Sequence, residues 1–240
     1  MKRFVSLFLL AILSLSLLLS GCAEPEPAPA PDTGHGDRPF MNDFRYDTVE
    51  ELSGGLTSYF TEDVLQDYED HYGPERGGVF RSFITNLQNG SVPLYVPTYL
   101  GEEIEYPNEE GRSNISLFPS DLYSKPWIWF ASNEYGVNCI YTMYLDELTK
   151  ELFNETGIQG LYEELNTNGV GGQYDDIKDQ TITLSNRVVS GLSCTYKKDT
   201  RTFTYFVYDD ILVLLNTYGT PSESWTKDLS FEKISLNDSP

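Results

Sequence analysis

The scarcity of histidine limits the acid–base chemistry that this chain could perform. Its 240 residues include two histidines, His35 in a stretch rich in Gly and Pro, and His71 among acidic and aromatic residues. A Ser-His-Asp or Cys-His device needs an imidazole beside its nucleophile, and only His71 falls in the region that composition predicts to fold. We find no Gly-x-Ser-x-Gly elbow, and no His-Glu-x-x-His, Cys-x-x-Cys, phosphate-loop or Rossmann motif. We therefore expect no catalytic residue of these classes, and no zinc or nucleotide cofactor.

Carboxylate chemistry remains open, because the chain has 37 Asp and Glu against 16 Lys and Arg. A glycosidase needs only a pair of carboxyl groups at a set separation, but so many acids single out no particular pair. The segment "GGQYDDIKD" places Asp175, Asp176 and Asp179 after a Gly-rich stretch, and carboxylates on a flexible loop can bind Ca²⁺. The spacing differs from that of a calcium-binding EF-hand loop. A solvated acidic loop is therefore the preferred interpretation, with a metal site as the alternative.

Two tryptophans could form a binding surface. Trp127 and Trp129 alternate in "KPWIWF", so both project from one face of a predicted strand. If that face were exposed, the indoles and nearby Tyr could stack on sugar rings or on a peptide. The preferred alternative is that they fill the core against a helix, where large aromatic side chains are usually found.

Cys139 and Cys194 are candidates for a disulfide. Both lie in predicted strands, and disulfides persist outside the cytoplasm. A bond that closes a loop of this length would stabilise the fold by about 4 kcal/mol in the chain-entropy model. The alternative is a pair of separate buried thiols that behave as small apolar side chains. Geometry decides between them.

The remaining cysteine, Cys22, follows an apolar segment that indicates export. Lys2 and Arg3 precede residues 4–20, which carry no charged side chain and are too short for a typical membrane span of about 20 residues. The exit, Leu19-Ser20-Gly21-Cys22, resembles the bacterial lipobox. That resemblance implies cleavage before Cys22, a diacylglyceryl group on its thiol and an acyl chain such as palmitate on its amino group. The alternative is an ordinary signal peptide with a chance cysteine.

These features divide the chain into a lipoprotein signal peptide at 1–21, a lipidated Cys with a Pro/Glu/Ala-rich linker at 22–39, and an extracytoplasmic domain at 40–240. The linker alternates proline with Glu and Ala, a pattern that favours extended polyproline geometry and holds a domain away from the lipid surface. Two or more acyl chains keep a protein on a membrane stably. We therefore expect the protein at the bacterial cell membrane, on its extracytoplasmic face.

The formal net charge of −21 restricts the partners of the domain. Binding to nucleic acid requires a clustered basic surface, so we do not expect nucleic acid as a partner. Anionic lipid headgroups would repel such a domain, which leaves the lipid anchor to hold it at the membrane. The charge is consistent with solubility or with a cationic partner.

The order of elements is helices first and strands afterwards. A capping box at Thr48 and Glu51 begins a first helix, and further helices are predicted at 62–72 and from residue 79 to Gly90. Alternating patterns then predict strands, with one helix at 146–165 interrupted near Gly157. The last strands form an antiparallel meander with turns at Lys198-Asp199 and Asp209-Asp210. We expect an α+β fold, a single domain whose N-terminal helices pack on one face of a mostly antiparallel sheet.

The lipobox, the acidic linker, a helix that begins with "TVEEL" and a terminal meander rich in Tyr and Phe are similar to surface lipoproteins of clostridia and their relatives. Those are α+β domains without assigned activity, so the resemblance transfers no site residue. We expect a ligand-binding or protein-interaction module without catalysis, with a glycan or protein of the cell envelope as partner. The alternative is a carboxylate-dependent glycan hydrolase at the cell surface. A solute receptor would need a second α/β lobe and a longer chain.

Overall fold

The structure is a computed structural model that describes residues 44–99, 102–103, 115–119, 125–132, 137–167, 174–196, 201–218 and 225–238. The predicted signal peptide, Cys22, the linker with His35, and the turn at Lys198-Asp199 lie outside the described residues. Among the described helices, none combines the length and the apolar character needed to cross a membrane.

The α-helices of the described residues are α1 (Val49–Ser58), α2 (Glu62–Tyr72), α3 (Val79–Gln88) and α4 (Glu147–Thr167). A π-helical turn at Pro74–Gly78 and 3-10 helices at Trp225–Asp228 and Leu236–Asp238 accompany them. The strands are β1 (Phe44–Tyr46), β2 (Leu94–Tyr99), β3 (Glu102–Glu103), β4 (Ile115–Phe118), β5 (Trp127–Ala131), β6 (Val137–Tyr144), β7 (Tyr174–Thr183), β8 (Val188–Tyr196), β9 (Arg201–Tyr208), β10 (Ile211–Tyr218) and β11 (Leu229–Ile234).

Local signals in the sequence set the start of α1 and the position of a break within α4. The Thr48 hydroxyl accepts a hydrogen bond from the Glu51 amide at 3.1 Å, and the Glu51 carboxylate accepts one from the Asp47 amide at 2.8 Å. The predicted capping pair therefore forms, with Glu51 reaching one residue further back than expected. In α4, Gly157 has φ 70° and ψ −166°, which breaks the helix where the sequence predicts an interruption.

The strands form two sheets. The larger has eight strands in the order β1-β4-β5-β6-β10-β9-β8-β7, and the smaller has the order β11-β2-β3. The predicted meander is confirmed, because β8, β9 and β10 are antiparallel neighbours. At its Asp209-Asp210 turn, Asp209 has φ 51°, a left-handed conformation that aspartate tolerates better than most residues.

Helices cover both faces of the large sheet. Val213 and Leu215 of β10 belong to the core that includes α1, α2, α3 and the small sheet. Leu212 and Leu214 point to the opposite face and join a second core with α4. The predicted α+β class is confirmed, with its helices mainly N-terminal; α4 covers the face that those N-terminal helices leave free.

The β9–β10 turn ties the two sheets and α4 together. Asp209 forms ion pairs with Arg187 and, at 2.8 Å, with Lys233 of β11. Asp210 pairs with Lys150 of α4 at 3.0 Å and accepts a hydrogen bond from the Tyr95 hydroxyl of β2 at 3.3 Å. The turn therefore joins elements that are far apart in the sequence.

A buried tyrosine completes this connection. The Tyr144 hydroxyl donates to the Pro93 carbonyl at 2.6 Å and accepts from the Tyr95 amide at 3.0 Å. Burial raises the pKa of Tyr144, so the phenol stays protonated and its O–H group remains a hydrogen-bond donor to the Pro93 carbonyl. The end of β6 is thus fixed to the start of β2.

We predict that Asp209→Asn removes part of the acid sensitivity of the fold. Burial alone would raise the pKa of Asp209, but hydrogen bonds from Lys233 and Arg187, with their charges, outweigh it and the pKa lies below its ordinary value. A lowered folded-state pKa contributes stability above the unfolded-state pKa of about 4, and that contribution is lost as pH falls through the folded-state value.

The measurement is urea unfolding between neutral pH and about pH 3. The difference in free energy of unfolding between wild type and Asp209→Asn should shrink below about pH 4. Asp67→Asn, which removes the same charge from an exposed position on α2, should leave the wild-type profile unchanged. Parallel pH profiles for wild type and Asp209→Asn would contradict the prediction.

Candidate functional site

The strand register places Trp127 and Trp129 on one face of β5, as their alternation predicts. Trp127 lies opposite Phe118 and Met143, and Trp129 lies opposite Tyr141. This is the face of the large sheet that α4 covers further along, at β8, β9 and β10.

The two indoles differ in how deeply they are buried. Trp127 is 1% exposed and meets the Tyr141 ring edge-on, with ring centroids 6.0 Å apart. It therefore fills the core, which is the alternative that the sequence favoured. Trp129 and Tyr141 are half-buried cross-strand neighbours. These two rings are the surface part of the predicted platform, and we call them the aromatic face.

A buried polar pair lies beside the aromatic face. Cys139 and Asn216 are opposite each other on β6 and β10, with exposures of 2% and 4%. Burial raises the pKa of the Cys139 thiol, and hydrogen bonds from the side chains of Trp129, Tyr141 and Asn216 oppose that rise. The Asn216 Oδ1 atom has no hydrogen-bond partner among the described residues. An unsatisfied buried acceptor costs about 1–3 kcal/mol.

Of the two alternatives for Cys139 and Cys194, the structure has no disulfide. Cys139 and Cys194 are both free and buried, and β10 and β9 lie between their strands. Neighbouring strands are about 4.8 Å apart, so three spacings put the Cα atoms well beyond the roughly 7 Å that a disulfide allows. The two cysteines are separate buried thiols, which is the other alternative. Burial raises the pKa of Cys194 to about 12, an effect that the Tyr162 side chain partly opposes.

The three aspartates lie on a strand, so the predicted loop is wrong. Asp175, Asp176 and Asp179 belong to β7, which pairs with β8, and all three are exposed. Asp176 has φ 53° at a register shift between Asp175 and Lys178, which is the geometry of a β-bulge. In the part of the chain that the structure describes, no three His, Cys, Asp or Glu side chains converge as metal ligands would.

His71 lies apart from both cysteines. It is exposed in the last turn of α2, and its ring contacts Tyr72 with centroids 4.6 Å apart. Helix α2 packs on one face of the large sheet, whereas Cys139 and Cys194 belong to the other. The geometry provides no Cys–His pair from these residues.

The sequence did not reveal a groove that runs from α3 to α4. One part, of about 320 Å³, lies between α3 and the end of β6, and the other, of about 400 Å³, lies along α4. Lys125 and Asp146 line both parts and form an ion pair. Val79, 39% exposed, lines the first part, and Leu148, 77% exposed, lines the second. We call this the split groove.

Asp146 is also the residue that begins α4. Its carboxylate accepts a hydrogen bond from the Thr149 amide at 2.9 Å, as an N-cap does. Burial alone would raise the pKa of Asp146, but hydrogen bonds from Lys125 and Thr149 outweigh it, and the pKa lies below its ordinary value. The pattern Asp-x-x-Thr before a helix is the one local signal for this residue, and it indicates a cap.

Comparisons of the chain with protein-family models, with curated proteins and with solved structures give no match.

We predict that Cys139 and Cys194 react with thiol reagents only after unfolding. Both are buried with raised pKa values, so little reactive thiolate is available in the native state. With Cys22 carrying its lipid, iodoacetamide should label neither cysteine of the native protein. In denaturant without reductant it should label both. Mass spectrometry of peptides that contain Cys139 and Cys194 provides the count, and recovery of the two joined by a disulfide would contradict the prediction.

Proposed function

We propose that this protein is a bacterial lipoprotein, held on the extracytoplasmic face of the membrane by lipid on Cys22, whose domain binds a ligand without catalysing a reaction. The support for the anchor is the sequence Leu19-Ser20-Gly21-Cys22 after an uncharged apolar segment. The Pro-rich linker at 22–39 gives the domain reach from the lipid surface.

The observation that carries the binding proposal is the aromatic face. Trp129 and Tyr141 are adjacent on neighbouring strands and only half-buried. The flat faces of such rings can pack on the apolar faces of sugar rings. Because the chain has a net charge of −21, an anionic ligand is disfavoured. We propose a neutral glycan of the cell envelope as the ligand.

The alternative, a carboxylate-dependent hydrolase, has less support. Asp146 and Glu164 line the same part of the split groove, and a glycosidase needs one carboxyl group that stays protonated to act as the acid. The ion pair with Lys125 lowers the pKa of Asp146, whereas a catalytic acid needs a raised pKa to stay protonated. We therefore propose binding.

We predict that Cys22→Ala releases the protein from the membrane. Without the thiol no lipid can be attached, and the acidic domain has no attraction of its own for anionic headgroups. The wild-type protein should fractionate with membranes and show a lipid-modified N-terminal Cys22 by intact mass. The variant should not. An unmodified Cys22 in membrane-associated wild-type protein would contradict this proposal.

We predict that Trp129→Ala weakens glycan binding by at least about tenfold, or about 1.4 kcal/mol. The probes are neutral oligosaccharides from cell envelopes, titrated against the full-length protein in neutral detergent and followed by calorimetry. Leu148→Ala, at a position 77% exposed in the split groove, is the matched control and should bind as wild type does. Equal binding by Trp129→Ala would contradict the aromatic face as the site, and cleavage of the probes would favour the hydrolase.

A further inference from the structure

Strand β7 is a long edge of the large sheet. It runs for ten residues, pairs with β8 and occupies an end of the strand order, and seven of its ten residues are exposed. The opposite edge, β1, has three residues. The outer side of an edge strand presents backbone N–H and C=O groups on which a further strand can form.

The β7–β8 hairpin also exposes apolar side chains. Ile177 of β7 is 47% exposed and Val188 of β8 is 62% exposed. Among the described residues, the exposed large hydrophobic side chains are these two with Val79 and Leu148. An added strand could cover part of Ile177, and burial of apolar area favours association.

A groove of about 580 Å³ lies beside this edge, between the hairpin and the break in α4 at Gly157. The described residues that line it include no Lys or Arg, and their polar side chains are those of Thr156, Gln159, Asp179, Gln180, Thr181 and Ser190. The Asp179 carboxylate has no hydrogen bond or ion pair with the described residues. An unpaired carboxylate surrounded by amide and hydroxyl groups is suited to a cationic side chain with several N–H donors.

Charge and backbone shape select the occupant of the edge. Beside a second copy of β7, the carboxylates of Asp176 and Asp179 would approach those of the partner, and each strand carries one cationic side chain, Lys178. The bulge at Asp176 further disfavours a regular self-pairing. A cationic strand would be attracted to β7 instead, because its positive charges complement the carboxylates of the edge.

We propose that β7 is a β-augmentation site for an extended cationic peptide segment. The segment adds a strand through backbone hydrogen bonds to the outer edge of β7, which among the described strands pairs only with β8. A Lys or Arg side chain of the segment enters the groove at Asp179. Backbone pairing supplies affinity and the groove supplies side-chain preference, as in other strand-addition complexes. This surface is separate from the aromatic face and does not depend on the glycan proposal.

The test uses a seven-residue peptide of alternating Lys and Val with blocked ends and a fluorescent label. It is titrated against the full-length protein in neutral detergent, and amide hydrogen exchange then locates the contact. We expect saturable binding and slower exchange confined to β7 and the lining of the groove. The same peptide with N-methyl groups on alternate amides keeps its charge and loses donors, and should bind about tenfold more weakly or worse.

Two charge variants complete the design. Asp179→Asn should weaken binding by about tenfold, and the exposed α2 variant Asp67→Asn, which removes the same charge, should not. Trp129→Ala should also bind the peptide normally, which separates this proposal from the glycan site. Equal binding of the N-methylated peptide, equal effects of Asp179→Asn and Asp67→Asn, protection away from β7, or self-association of the protein through β7 would each overturn the proposal.

Discussion

The structure depends on the burial of strand β10 from both sides. Leu212, Val213, Leu214 and Leu215 are at most 3% exposed, and they alternate between the two cores. A strand in this position can be apolar without interruption, since each of its faces has a hydrophobic layer to contact. The aromatic face and the β7 edge are both built on the sheet that β10 holds together, on opposite sides of it in the strand order.

The sequence predicts those parts of the fold whose signals are local. The cap at Thr48, the break at Gly157 and the turn at Asp209-Asp210 each follow from residues within one turn of the chain, and each is present. The first part of β7 was missed because "YDDIKDQ" has neither alternation nor an apolar run. An exposed edge needs neither, because pairing with β8 along the backbone is sufficient to define it. The pairing of β2 with β11 was likewise beyond local patterns, since no signal connects segments so far apart.

The candidate site could be predicted only by residue type and face. Alternation correctly puts Trp127 and Trp129 on one side of β5, but their different burial depends on what lies over each position, which sequence spacing does not contain. The cysteines illustrate the same limit. Both are on strands, as expected, yet the strand order places β10 and β9 between them. The split groove requires Lys125 and Asp146 to meet, and nothing in their separate surroundings indicates that they do.

The pairing of β11 with β2 has a consequence for how the chain becomes a folded protein. Residues Leu229–Ile234 complete the small sheet begun by Leu94–Tyr99, so a nascent chain that stops short of them leaves β2 without its principal partner. Contacts over such sequence separations form slowly, and the half-made domain presents apolar strands meanwhile. The domain is therefore expected to finish folding only after Ile234 has been synthesised. A chaperone that shields β2 until then would raise the yield of folded protein.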